Sequence, residues 1–139
     1  ESIILKLMGD MQESSTVLDK MEILDNRQVA FITDGANGVY VVNNNGFKHV
    51  PGEIVTPKDT LGAGDASFAG FMAGYVMNLR DEDIARLGMA VAGLKVQKNG
   101  PSLDTPYQDL RDTRPRIFEN LELARKESLY EYQQKIGGK

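Results

Sequence analysis

The chain has 139 residues, of which 41% are hydrophobic and 26% charged, with a formal net charge of −4. That length suits one domain with a real core, and the acidic balance argues against nucleic acid or an anionic membrane as partner. With no cysteine and a single histidine, His49, this chain offers no disulfide, thiolate or two-histidine metal site and no Ser-His nucleophile.

Ser2 to Met8 (SIILKLM) is a short apolar run that reads as the tail of an element begun upstream. Together with Glu1 in place of an initiator Met, it suggests a piece of something longer. Glu13 to Leu24 carries Val17, Leu18, Met21 and Leu24 at the spacing of an amphipathic helix. Gln28 to Thr33 (QVAFIT) is a continuous apolar run, as buried parallel strands tend to be. Val39 to Val42 starts a second strand, Asn43 to Gly46 (NNNG) is a hairpin turn, and Phe47 to Val50 returns.

A helix is expected from about Asp65 to Leu79. Its Ala66, Ala69, Gly70, Ala73 and Gly74, and the lack of charge before Arg80, point to burial and close packing. Asp81 can cap a second helix running to about Gln97, which Asn99-Gly100-Pro101 stops. Pro106 opens a short helical turn, and Arg116 to Ile136 reads as a long surface helix or protruding arm. Strands alternating with helices give the α/β class with one antiparallel hairpin inserted. No run is long and apolar enough to span a membrane, and no targeting segment is visible. Without cysteine, this fits a reducing, cytoplasmic compartment.

The stretch KDTLGAGDASFAGF, Lys58 to Phe71, carries the chemistry. Gly62, Ala63 and Gly64 precede the expected helix, whose first N–H groups are unpaired and carry about half a positive charge. Lacking bulk, these residues let an anion approach the backbone. On these residues alone, a tight strand-to-helix turn with Asp65 as an N-terminal acid is an equal reading. A Walker A loop is absent, because no Gly-Lys-Ser/Thr occurs. A dinucleotide fingerprint nearly fits, but Ser67 stands where Gly or Ala belongs, and Asp65 would face the pyrophosphate.

DTLGAGDASFAGF, Asp59 to Phe71, resembles the second signature of the ribokinase-like (PfkB) family of sugar and nucleoside kinases. TDGANG, Thr33 to Gly38, is similar to that family's Thr-x-Gly-x-x-Gly nucleotide loop, and AVAGLKVQKNG, Ala90 to Gly100, to the helix and turn beside its adenine. The likeness runs from about Glu1 to Pro106. It implies a three-layer αβα sandwich of ribokinase-like type, present here as its C-terminal, nucleotide-binding part over residues 1–112, followed by a helical extension over 113–139.

The resemblance implies ATP and Mg2+ as cofactors and a sugar or nucleoside as acceptor. Asp65 would be the base that takes the acceptor's proton, and the amides of Gly62, Ala63 and Gly64 the anion hole. Thr33, Asp34, Gly35, Ala36, Asn37 and Gly38 would line the nucleotide, with Met89 where relatives carry Asn or His against adenine. A monovalent cation, K+, would sit with Asp59, the carbonyls of Leu61, Lys95, Lys98 and Gly100, and the side chain of Asp104, which departs from the family's small hydroxyl residue. His49 reads as a hairpin surface residue.

Family members are about twice this long, and their N-terminal half, which supplies most of the sugar pocket, has no counterpart here. By the same resemblance, Glu1 would be the last residue of their Asn-x-x-Glu motif, whose Asn is not in this sequence. The missing half is therefore an expected partner. This portion alone is expected to bind nucleotide weakly and to be inactive. A homo-oligomer is left open, as is the identity of the acceptor. A kinase-derived scaffold subunit is the alternative from another class, and a dinucleotide-binding oxidoreductase a weaker third.

Overall fold

The computed structural model describes residues 29–43, 45–100, 103–104 and 106–137. The expected elements at Ser2–Met8 and Glu13–Leu24, and Glu1 itself, lie outside the described residues. The chain divides into two compact units, Glu1–Pro51 and Gly52–Lys139.

In the first unit, strands β1 (Ala30–Thr33), β2 (Val39–Asn43) and β3 (Gly46–Val50) form a sheet in that order. Both pairings are antiparallel, with Phe31 opposite Val41 and Tyr40 opposite His49. The NNNG turn does what its composition predicts: Asn43 pairs with Gly46 across it, and Asn45 N–H donates to Asn43 Oδ1 at 2.9 Å. β1 departs from expectation. Its described neighbour is antiparallel and its first three residues are only half-buried, whereas Val39, Val41, Val42 and Val50 are buried.

The second unit is helical: α1 (Ala63–Val76), α2 (Asp81–Val96), α3 (Pro106–Thr113) and α4 (Pro115–Gly137). Asp81 is not the cap of α2. Arg80 holds that position without a side-chain capping bond, and Asp81, Glu82 and Asp83 crowd the first turn, where the positive end of the helix dipole favours acids. Arg80 and Arg86 both pair with Asp83 at 3.1 Å.

Small residues let α1 and α2 approach each other closely. A Cβ added at Gly70 would lie 2.7 Å from Gly88 Cα, and one at Gly88 only 2.0 Å from Phe71 Cε1. The Phe71 ring thus occupies the space that a side chain at position 88 would need. Leu87, Ala90, Val91 and Leu94 of α2 form a core with Leu110 of α3, and Ile117, Phe118 and Leu121 of α4 pack against it. Of the segment expected as an extension, Ile117, Phe118 and Leu121 pack on this core, while Leu129, Tyr130, Tyr132 and Ile136 are exposed.

Burial of α1 is one-sided. Ser67, Gly70, Phe71 and Gly74 are buried, but Phe68, Met72, Tyr75 and Val76 are exposed. These four recur at spacings of four, three and one, which place them on one helix face. The expectation of a wholly buried helix is corrected: apolar composition all round does not say which sides have partners.

Candidate active site

The loop ahead of α1 is shaped by Asp59 and Gly62. Gly62, the residue preceding the helix, has φ 81 and ψ 4, a left-handed conformation that disfavours any residue with a Cβ. It turns the chain so that α1 starts at Ala63. The first intrahelical bond runs from Ala66 N–H to Gly62 O at 2.9 Å. Ser67, the residue that spoils the dinucleotide pattern, turns its hydroxyl back to Gly64 O at 2.7 Å.

The expected anion donors divide. Ala63 N–H is directed to Thr60 O at 3.2 Å. The N–H groups of Gly62, Gly64 and Asp65 have no protein acceptor among the described residues. These amides lie at the positive end of α1. Asp65 is the third residue of the helix, and its side chain is exposed. It is not turned into the interior. Acid and unpaired amides therefore share one open helix end.

Asp59 is the anchor behind this loop. Its Oδ1 accepts Leu61 N–H and its Oδ2 accepts Gly100 N–H, both at 2.9 Å. The Leu61 amide and then the Gly100 amide hold its carboxyl below the ordinary carboxylate range; desolvation opposes them, and the charge of Lys95 adds the smallest lowering effect. The N–H groups of Lys58 and Asp59 both donate to Val96 O, at 2.6 and 3.1 Å. The strap before α1 is thus bonded to the last turn of α2.

The residues expected around a monovalent cation already have partners, and a cation is among them. Both carboxylate oxygens of Asp59 are engaged by amides, and Lys95 O accepts Lys98 N–H at 3.0 Å. Lys98 Nζ pairs with Asp109 at 2.6 Å, and Asp104 is exposed. Above all, the Lys95 side chain is fully buried, at 0% exposure, and its Nζ donates to Asp59 O at 3.4 Å. A positive charge is already there. A second one nearby would be opposed, since two unit charges about 4–6 Å apart repel by about 3–4 kcal/mol at an effective dielectric near 20. For Mg2+, no group of three or more His, Asp or Glu side chains able to hold a metal occurs among the described residues.

The other expected loop lies in the first unit. Thr33 ends β1, and Gly35–Asn37 form one 3-10 turn. Asp34 N–H donates to Gly38 O at 2.8 Å, and Asn37 N–H to Asp34 O at 2.9 Å. Asn37 Nδ2 also reaches Asp34 Oδ2 at 3.2 Å, while Ala36 is exposed. Sequence reading missed a part of this turn. His49 Nε2 lies 2.7 Å from Asn37 O, and its ring lies 4.7 Å from that of Tyr40. His49 is on the surface, as expected, but it also braces the turn. The only signal in the sequence was hairpin register, which sets position 49 opposite position 40. Met89 is 7% exposed on α2, so little of it meets solvent.

Residues 2–108 match the pfkB family carbohydrate kinase. Mouse ribokinase is 37% identical over 86 residues, which cover 58% of this chain and 26% of that protein. The crystal structure of adenosine kinase from Sinorhizobium meliloti superposes with a TM-score of 0.59 at 26% identity, covering 73% of this chain and 32% of that one. An uncharacterized sugar kinase from Pyrococcus horikoshii in complex with ATP gives a TM-score of 0.51 at 30% identity, covering 65% and 31%. The matched stretch spans about a quarter of the length of the curated relatives. The fold is therefore part of a ribokinase-like α/β architecture, and the chain belongs to the pfkB family of carbohydrate kinases.

Proposed function

We propose that this chain is the nucleotide-side portion of a phosphotransferase that moves the γ-phosphoryl group of ATP to a hydroxyl of a sugar or nucleoside. The observation that carries it is the juxtaposition at the start of α1: unpaired Gly62 and Gly64 amides beside an exposed Asp65. Relatives named as ribokinase, adenosine kinase and an ATP-bound sugar kinase support the substrate class.

Asp65 takes the proton of the acceptor hydroxyl as that oxygen bonds to phosphorus, and the bond from phosphorus to the departing ADP oxygen breaks. A positioned general base contributes about 10²–10⁴-fold. The Gly62 and Gly64 amides meet the charge on the transferring oxygens without reorganising, since α1 is packed on α2. Acid and anion site do not conflict. They serve opposite ends of one bond-making event. Family resemblance assigns the turn at Thr33 to Gly38 to the nucleotide and, separately, Met89 of α2. Mg2+, when bound with ATP, neutralises phosphate charge.

The test is turnover of ATP by the full-length protein against a panel of sugars and nucleosides, alongside titration with ATP and with NAD. Phosphorylation of one acceptor class, with binding of ATP over NAD, is the expected result. No turnover with any acceptor would overturn it in favour of a scaffold.

A further inference from the structure

We infer that Lys95 is a tethered cation: its buried side-chain ammonium takes the place of the monovalent ion expected beside the active-site loop. The reading rests on the phosphotransferase proposal only where activity is measured.

A fully buried lysine is rare unless its charge is matched. Lys95 is the largest wholly buried side chain described, at 0% exposure. It starts in the last turn of α2, where the carbonyl end of the helix is partly negative and favours a cation. Its Nζ meets Asp59 O at 3.4 Å, an oxygen of the residue whose carboxylate fastens Leu61 and Gly100. Three sources of negative potential thus converge there: the α2 terminus, the Asp59 carbonyl and the Asp59 carboxylate. They are what would attract a free cation, and a covalently attached ammonium already answers them.

The consequence is functional. A dissociable ion makes the geometry of the Lys58–Leu61 strap depend on salt composition. A lysine does not dissociate, so the strap, the Gly62 turn and the amides at the head of α1 keep their arrangement at any K+ concentration. Reading only the backbone carbonyl of residue 95 as a ligand overlooked the side chain. The sequence signal was a lysine set between Leu94 and Val96 within a buried helical run.

The experiment compares KCl with choline chloride at equal ionic strength on the full-length protein, reading thermal unfolding, binding of a fluorescent ATP analogue and ATP turnover. The wild type is expected to be indifferent in all three. Lys95→Ala, which removes the ammonium and opens space, should lose about 10–100-fold in nucleotide affinity or activity and regain it with K+. Lys95→Met, which removes the charge but fills the space, should lose as much without rescue. A K+-specific shift in the wild type, or a Lys95→Ala variant insensitive to K+, would overturn the inference. If Lys95→Ala does not fold, thallium NMR on the wild type decides: bound Tl+ at this site overturns it, and its absence supports it. Loss of the kinase reading would show separately, as no turnover with any acceptor while the unfolding pattern persists.

Discussion

The carboxylate of Asp59 joins Leu61 to Gly100, receiving the N–H of each at 2.9 Å. Forty-one positions separate Asp59 from Gly100 in sequence, so one side chain binds the approach to α1 to the exit from α2.

That arrangement fixes a pH dependence. In the folded chain the Leu61 and Gly100 amides hold the Asp59 carboxyl below its ordinary value, so between the two values the unfolded chain binds more protons. The stability contributed by this group is present above about pH 4. It is lost as pH falls through the depressed folded value. Urea denaturation midpoints measured from neutral pH downward should show a steeper acid limb in wild type than in Asp59→Asn. The variant should also be less stable at neutral pH, because Asn cannot accept both amides equally well.

A second expectation concerns the α1–α2 crossing. Gly88→Ala would place a methyl 2.0 Å from Phe71 Cε1, and overpacking of this kind costs about 1–3 kcal/mol. Adding Phe71→Leu should recover part of that loss. Chemical denaturation of the two variants checks both statements.

The sequence made the local elements legible and left their partners largely hidden. The Asn43–Gly46 turn, the stop after α2 and the helix-opening proline at 106 are encoded within a few residues, through turn chemistry and fixed φ. Contacts between distant segments carry no such mark. Nothing near Phe68, Met72, Tyr75 and Val76 reveals that this face of α1 is uncovered while Gly70 and Gly74 are packed. Likewise Ala63, an expected anion donor, has its amide drawn to Thr60 O by the turn at Gly62, a backbone outcome that residue identity does not announce. The motif showed which loop matters, and only coordinates showed which of its donors are unpaired.

A third expectation follows from a contact of this hidden kind. Arg114, at the α3–α4 joint, grips both carboxylate oxygens of Glu53 through Nε, at 3.1 and 2.9 Å, and a second time through Nη2. Both side chains are largely shielded, at 14% and 22% exposure. Hydrogen bonds to charged groups contribute about 1.5–3 kcal/mol. Arg114→Met should therefore destabilise the chain by that order, and Glu53→Gln somewhat less. A double-mutant cycle should return a coupling well above that of the exposed Arg86–Glu82 pair.

The most direct measurement is the Asp65→Asn exchange in the full-length protein, followed by single-turnover phosphoryl transfer and nucleotide binding. The expected result is a fall in the transfer rate of about 10²–10⁴-fold with ATP affinity nearly unchanged. Transfer at the wild-type rate would contradict the assignment of Asp65 as the group that accepts the proton.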